Sequence, residues 1–280
     1  MTDVTVPVAL TIAGSDSGGG AGIQADLRTF SFHRVHGTSA LTCVTAQNTV
    51  GVSRVDALPP EAVIAQIEAV VSDIGVQAAK TGMLLNQPII EAVAAHLKAN
   101  PIAHLVVDPV MVSRTGDRLI DESAIAALTT QLIPLAAVLT PNRYEAQILA
   151  DLEINTLEDM QSAAQKILAL GSQAVLVKGG GFAGELRGVD VWYDGKTLEV
   201  LTTEQIDTNN THGTGCTLSS AIAANLAQGK LPLPAVKAAK TYVTLALKHA
   251  IAIGRGQGPV GHFYSLLDDF SPERLRQRQL

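Results

Sequence analysis

The segment 210–217, with the sequence NTHGTGCT, leads directly into a helical pattern. Gly213 and Gly215, with Thr214 between them, let the backbone approach an oxyanion without a clashing Cβ atom. The free N–H groups of the helix's first turn would point at that ion, together with the positive end of the helix dipole. An ordinary helix cap is the alternative, but two glycines exceed what a cap requires. The segment therefore predicts a phosphate-binding anion hole, with Thr211 as a further phosphate contact.

Cys216 falls in the first turn of the same predicted helix. A helix dipole stabilises a thiolate there, so we expect the pKa of Cys216 to be lowered towards neutrality. A lone cysteine is more often a small buried apolar residue than a catalytic group. Its position makes Cys216 a candidate catalytic base.

A second polar helix start contains Thr140 as a cap, Pro141 at the first helical position, and Asn142 and Glu145 on one face. Oxygen ligands of this kind suit Mg²⁺, usually through water, and a nucleoside triphosphate requires that ion. The helix dipole also favours glutamate at an ordinary solvated helix start. Both interpretations stay open from these residues.

Two charged residues end predicted strands. Asp108 follows an apolar strand and precedes Pro109, which places a carboxylate at the strand's carboxyl end, where doubly wound folds bind ligands. Lys178 ends its strand in the same way and could pair with a transferred phosphate or simply reach solvent.

Two further residues are candidates for substrate recognition. Asp26 lies beside the apolar stripe of Ile23 and Leu27 and needs a partner, either a polar substrate group or the start of its own helix. Gln47 closes an apolar strand, and its amide could match the ring nitrogen and amino group of an aminopyrimidine or merely cap the strand.

Two familiar nucleotide motifs fail on inspection. The P-loop pattern is absent, because GKT at 195–197 lacks its leading glycine and follows a predicted hairpin turn. Gly179, Gly181 and Gly184 form a dinucleotide fingerprint after a strand, which makes an oxidoreductase a competing hypothesis. The fingerprint should open a helix, whereas the residues that follow predict another strand.

Around these residues, short β-branched runs alternate with helical patterns, which predicts a doubly wound α/β fold with a mostly parallel sheet. Five pairs of a strand and a neighbouring helix are predicted. Strand 6–12 precedes helix 22–32, strand 78–80 precedes helix 88–97, and strand 104–108 precedes helix 121–132. Strand 136–139 precedes a helix from 142, and strand 174–178 follows helix 157–170. Strand follows strand at 41–57, read as a small flap, and at 188–202, before helices at 214–227 and 234–253. We expect one domain over 1–280, with 271–280 frayed or packed as a short surface helix.

Composition excludes several classes of function. The 280 residues carry a net charge of −6 without a basic block, so nucleic acid is an unexpected partner. Cys43 and Cys216 lack metal-ligand spacing, which indicates reduced thiols. Asp3 stands where a signal peptide would be basic, and no apolar run reaches membrane-spanning length. These features predict a cytoplasmic protein without a membrane partner.

Several motifs together resemble those of the hydroxymethylpyrimidine and hydroxymethylpyrimidine phosphate kinases of thiamine biosynthesis, within the ribokinase-like superfamily. The resemblance covers nearly the whole chain. Its motifs are AGSD at 13–16, GGAGIQAD at 19–26, AQNT at 46–49, KTGM at 80–83, TPN at 140–142, KGG at 178–180, NTHGTGCT at 210–217 and GPV at 258–260.

The resemblance implies a three-layer α/β/α sandwich that transfers phosphoryl groups from MgATP to 4-amino-5-hydroxymethyl-2-methylpyrimidine and then to its monophosphate. It implies that Gln47 binds the pyrimidine in a pocket lined by Gly14, Asp26 and Met83, and that Cys216 is the base. By the same resemblance, residues 213–216 form the anion hole, Lys178 contacts ATP phosphate, and Asp108, Asn142 and Glu145 serve the metal and phosphates. It also implies a homodimer with the flap near the active site.

Two residues depart from the family's pattern. Asn209 stands where relatives often have a basic residue, and Gly181 where they often have histidine. A kinase for B6 vitamers such as pyridoxal, from the same superfamily, is the alternative function. A non-catalytic nucleotide-binding protein is the alternative from another class.

Overall fold

The computed structural model describes residues 6–112, 118–182 and 184–270, and within them nine strands form one sheet in the order β3-β2-β1-β4-β5-β6-β7-β8-β9. The strands are β1 (Val8–Asp16), β2 (His36–Gln47), β3 (Val52–Ala57), β4 (Ala78–Thr81), β5 (His104–Val107), β6 (Val138–Leu139), β7 (Val175–Lys178), β8 (Asp190–Tyr193) and β9 (Leu198–Leu201). The six central strands are parallel, whereas β3, β8 and β9 are antiparallel additions at the two edges.

Helices cover both faces of the sheet. They are α1 (Gly22–Phe32), α2 (Pro60–Asp73), α3 (Gln87–Ala99), α4 (Glu122–Ala127), α5 (Arg143–Ala150), α6 (Leu157–Leu168), α7 (Thr214–Ala227) and α8 (Pro232–Lys248). Helices α2 to α6 bury their apolar residues in one core, and α1, α7 and α8 bury theirs in a second core on the opposite face. The predicted three-layer α/β/α sandwich is confirmed.

The predicted helix bounds agree with the structure in most helices and fail in two, and strand β1 extends to Asp16, beyond its predicted end at 12. Helices α1 and α7 have the predicted bounds, whereas α8 ends at Lys248, before the predicted 253. Helix α2 was not predicted at all. It begins with proline at its first position and buries Val63 and Ile67, which are four residues apart.

The predicted flap at 41–57 is an extension of the main sheet. The first part of β2 pairs with β1 in parallel, and its far part, from Cys43 to Gln47, pairs with β3. Strand β3 is exposed along its whole length. The strand that leads into the flap therefore begins at His36, earlier than the predicted start at residue 41.

The carboxyl ends of the parallel strands meet at one edge of the sheet, where open α/β folds bind ligands. Asp16 ends β1 and Lys178 ends β7, while Asp108 directly follows β5. The single domain over 1–280 stays a prediction, and the tail 271–280 lies outside the described residues. Within the described ranges, no helix has both the length and the apolarity to cross a membrane.

Candidate active site

The start of α7 is shaped to leave its first turn open. Gly213 has a φ of +80°, and a Cβ atom built there would lie 1.8 Å from the carbonyl oxygen of Gly20. Only glycine combines that conformation with so close an approach. No side chain caps the helix, and while the Thr214 amide donates to the Thr211 carbonyl, the following amides of Gly215 and Cys216 are available to an anion.

A cleft of about 450 Å³ lies against this helix start. Nine residues with predicted roles line it, namely Asp108, Asn142, Glu145, Lys178, Thr211, Gly213, Thr214, Gly215 and Cys216. The hydroxyl of Thr211 is buried and has no hydrogen-bond partner among the described residues. A buried polar atom without a partner is costly, so a ligand that accepts from or donates to Thr211 would offset that cost.

Lys178 lies next to the anion hole and is paired. Its Nζ is 2.9 Å from Oδ1 of Asp108, and a Cβ on Gly215 would be 3.5 Å from the same Nζ. Burial lowers the pKa of Lys178, but the carboxylates of Asp108 and Glu145 outweigh burial and raise that pKa above its usual value. The amine is therefore a cation beside the start of α7.

Asn142 and Glu145 form a capping box at the start of α5. The side chain of Asn142 accepts from the Glu145 amide, and Oε2 of Glu145 accepts from the Asn142 amide at 2.7 Å. Oε1 of Glu145 accepts from the Met111 amide at 3.1 Å. Burial raises the pKa of Glu145 to about 7. The helix-start interpretation is thus present in the structure, and ligation of a metal or phosphate stays a prediction.

The predicted low pKa of Cys216 is wrong. Burial raises the pKa of this thiol to about 11, and the carboxylates of Asp26 and Asp108 act in the same direction. Lys80 and the Gly22 amide lower the pKa, but less than burial raises it. Desolvation of the thiolate therefore outweighs the helix dipole on which the prediction depended.

Asp26 finds its partner within the protein. It is fully buried and accepts two hydrogen bonds of 2.8 Å from Lys80, one from Thr11 and one from Ser220. Lys80 is also fully buried, and it carried no predicted role. The need for a partner, which the sequence showed, is met by Lys80 instead of the suggested substrate group. A contact between Asp26 and substrate stays a prediction.

The residues predicted to bind the pyrimidine lie outside the lining of the 450 Å³ cleft. A Cβ on Gly14 would lie 2.6 Å from the sulfur of Cys43 and 3.0 Å from Cε of Met83, so these three residues adjoin. Nε2 of Gln47 is 3.4 Å from Nε2 of His212, which does line the cleft. His212 therefore stands between the predicted pyrimidine pocket and the cleft.

His212 also organises the glycine-rich loop after β1. Its Nε2 is 2.8 Å from Oδ2 of Asp16, whose carboxylate accepts the amides of Gly18, Gly20 and Ala21. Burial raises the pKa of Asp16, yet His212 and the amides of Ala21 and Gly18 outweigh burial and lower it. Sequence reasoning gave His212 and Asp16 no role, although both lie within motifs that it singled out.

Fold and cleft together define the class of protein. An uncapped helix start that faces the cleft, a largely buried lysine beside it and a three-layer α/β/α sandwich are those of a kinase with the ribokinase-like architecture.

Comparison with known proteins gives the family. Residues 16–261 match the family model described as phosphomethylpyrimidine kinase, and the chain belongs to that family, whose members are phosphotransferases. It is 62% identical over 263 residues to the hydroxymethylpyrimidine/phosphomethylpyrimidine kinase of Synechococcus elongatus, which covers 94% of this chain and 100% of the relative.

Two solved structures are similar in fold and sequence. An ADP complex of Bacillus subtilis pyridoxal kinase has a TM-score of 0.87 and 43% identity, covering 94% of this chain and 100% of that chain. A phosphomethylpyrimidine kinase from Clostridium difficile has a TM-score of 0.78 and 43% identity, covering 86% of this chain and 100% of that chain. The family places the chain among enzymes, against the hypothesis of a non-catalytic binding protein.

Proposed function

We propose that this protein uses ATP to phosphorylate 4-amino-5-hydroxymethyl-2-methylpyrimidine and then its monophosphate, which yields the diphosphate for thiamine biosynthesis. The observation that carries the proposal is the 62% identity to a relative named for both steps, over that relative's full length. The open start of α7 supports the nucleotide part of the proposal, because its amides suit phosphate oxygens.

The cleft offers distinct surroundings to the two ends of ATP. Ile206, Leu218 and Val243 supply an apolar wall suited to a base. Residues 213–216 and Lys178 supply the amides and the cation suited to phosphates. We infer that the nucleotide lies with its base against the apolar wall and its terminal phosphate at α7.

The chemistry assigned to the chain is positioning and charge stabilisation. The hydroxymethyl oxygen forms a bond to the γ-phosphorus while the bridge to ADP breaks, and the charge on the transferred group faces the first-turn amides and Lys178. Cys216, as thiolate, accepts the proton of the hydroxyl. In the second step the acceptor is a phosphate oxygen, which brings no hydroxyl proton.

Mg²⁺ fits this site through water. Both oxygens of Glu145 accept backbone amides and Asp108 is paired with Lys178, so part of each carboxylate's acceptor capacity is already used and contact with the ion through water suits them. Among the described residues, no cluster of three or more acidic, histidine or cysteine side chains could hold a metal by itself. Asp108, Asn142 and Glu145 would hold the hydrated ion, whose chemistry is to neutralise the charge of the triphosphate.

Pyridoxal kinase is the second candidate. The similarity to the Bacillus subtilis pyridoxal kinase favours it, with 43% identity over 94% of this chain. The test is incubation with MgATP and either the hydroxymethylpyrimidine or pyridoxal, followed by mass spectrometry. We expect a monophosphate and then a diphosphate from the pyrimidine, and no turnover after EDTA. Phosphorylation of pyridoxal alone would replace the pyrimidine proposal with the second candidate.

We also propose that the protein is a homodimer. Strand β3 is an exposed sheet edge that carries Val52 and Val55 with exposures of 52% and 42%. Such an edge favours contact with another chain. Sedimentation velocity should give twice the chain mass of 29.2 kDa. The cytoplasmic location stays a prediction.

A further inference from the structure

A second buried ion pair borders the cleft, besides the pair of Lys178 and Asp108. Neither of its two residues had a predicted role in the site. Nζ of Lys240, on α8, is 2.6 Å from Oδ2 of Asp190, on β8, with side-chain exposures of 9% and 8%. Both residues line the cleft. A buried pair of this kind contributes little net stability on average, because each charge loses its hydration. Its place beside the cleft therefore raises the question of what else the pair holds.

The pair binds the backbone on both sides of the turn that follows β7. Oδ1 of Asp190 accepts from the Gly179 amide at 2.9 Å. Nζ of Lys240 donates to the Gly188 carbonyl at 2.7 Å. One carboxylate and one ammonium satisfy a buried donor and a partly buried acceptor together, which no apolar pair could do.

Gly179 directly follows Lys178, so its position decides where Lys178 leaves the sheet. A Cβ on Gly179 would lie 1.9 Å from the carbonyl oxygen of Val189, so the two segments cross without spare room. In the ladder between β7 and β8, Lys178 is the direct partner of Asp190. Asp190 of this ion pair thus lies directly across the ladder from Lys178, the lysine beside the proposed anion hole.

Helix α8 connects the pair to the anion hole from the other side. Ala239 and Val243 on α8 share one apolar core with Leu218 and Ile222 on α7. A displacement of α8 relative to β8 would therefore change the distance between Lys178 and the first turn of α7. Interiors packed at crystal density transmit such displacements, because they contain little free space.

We propose that Lys240 and Asp190 are positioning residues that set Lys178 against the anion hole and so support ATP binding and phosphoryl transfer. The proposal rests on the assignment of ATP phosphates to α7, and not on the identity of the acceptor. Neither residue is proposed to touch the pyrimidine.

The first test compares Lys240→Met with Lys237→Met. Lys237 lies one turn earlier on α8 and makes an equally short pair with Glu199, but its side chain is 50% exposed. Calorimetry without acceptor should show the Kd for ATP raised by about tenfold or more in Lys240→Met and unchanged in Lys237→Met. The KM for the acceptor should change by less than about twofold. An unchanged Kd for ATP in a folded Lys240→Met protein would overturn the proposal.

The second test separates positioning from stability. Lys240→Met alone leaves Asp190 buried without its ion partner, whereas Lys240→Met with Asp190→Leu removes both charges. We expect the double variant to regain most of the lost urea resistance while its Kd for ATP stays raised by about tenfold. Recovery of both together would show a structural role only and refute the proposal. Lys240→Arg, which keeps the donors, should restore ATP binding to within about threefold.

These results are distinguishable from a failure of the proposed function. ATP binding is measured without any acceptor, so it is independent of whether the pyrimidine or pyridoxal is phosphorylated. If ATP binds wild type with its phosphates away from α7, none of the Lys240 variants should alter the Kd, and the proposal falls with that assignment.

Discussion

At the scale of single residues, Cys216 shows how burial and helix position compete. The first turn of α7 favours an anion at this sulfur, and Lys80 does too, but loss of solvent raises the thiol pKa to about 11. Cys216 is therefore held as a neutral thiol. A neutral thiol cannot accept a further proton, so Cys216 must lose its own proton before it can act as the base, and only its minor thiolate form accepts the proton of the acceptor hydroxyl.

The state of this thiol can be measured by alkylation. In a Cys43→Ala variant, Cys216 is the remaining cysteine of the two in the chain. We expect its rate of reaction with iodoacetamide to rise about tenfold per pH unit between pH 7 and 10, because the reactive thiolate is a minor species throughout that range. A rate that levels off near pH 7 would contradict the raised pKa and restore the dipole-based prediction.

Gln47 allows a second test at this scale. Its side chain lies near His212 but outside the lining of the nucleotide cleft. We expect Gln47→Ala to raise the KM for the pyrimidine by about tenfold or more while the KM for ATP changes by less than about twofold. Steady-state kinetics with each substrate varied in turn would measure both. An equal rise in the two KM values would contradict the pocket assignment.

At the scale of elements, the junction between the loop after β1 and the start of α7 forms the site. Gly20 of the loop and Gly213 of the helix start are in such close contact that the two segments form one continuous surface. The pair of Asp16 and His212 is a second contact between the same segments. Neither segment has that shape alone. The proposed anion hole therefore depends on the contact between two elements distant in sequence.

Two glycines with similar backbone conformations allow the effect of backbone strain to be distinguished from the effect of the contact with Gly20. Gly213 and Gly229 have φ values of +80° and +85°, but a Cβ on Gly229 would meet nothing within 4 Å. Gly229→Ala should lower the free energy of unfolding by about 1 kcal/mol and leave ATP binding unchanged. Gly213→Ala should also weaken ATP binding by about tenfold or more, because the loop must move away. Calorimetry and urea unfolding of both variants provide the comparison, and equal ATP binding would contradict it.

At the scale of the whole molecule, two buried groups give the folding stability opposite dependences on pH. Burial raises the pKa of Glu145 from 4.5 to about 7, so the native state binds the extra proton and the free energy of unfolding falls as pH rises through that window. Burial lowers the pKa of His262 from 6.5 to about 4, so the unfolded state binds the proton and stability rises with pH there.

Substitution of Glu145 should reveal its contribution to the pH dependence of the free energy of unfolding. Glu145→Gln removes the contribution that falls as the pH rises. Between pH 5 and 7 the free energy of unfolding of the variant should therefore rise relative to that of wild type by up to about 1.4 kcal/mol per pH unit. Urea unfolding at several pH values measures both profiles. Glu122→Gln, at a carboxylate that is 87% exposed, is the control and should run parallel to wild type. Parallel profiles for Glu145→Gln as well would contradict its raised pKa.

Much of the fold and part of the site could be predicted from local patterns. The bounds of α1 and α7 followed from apolar periodicity and glycine punctuation, and the polar residues at strand ends followed from the strands themselves. Helix α2 was missed because it follows a strand pair already assigned to the flap. The partner of Asp26, 54 residues away at Lys80, and that of Asp190, 50 residues away at Lys240, carry no local signal.

The amino-acid sequence by itself determined the alternating elements, the glycine-rich start of α7 and the residue types available at the strand ends, because these depend on interactions between residues close along the chain. Only the tertiary structure decided that Cys216 is a neutral, half-buried thiol, that Asp26 pairs with Lys80, and that Lys240 reaches the turn after β7. Burial and ion pairing depend on which distant segments pack together, and local patterns do not contain that information.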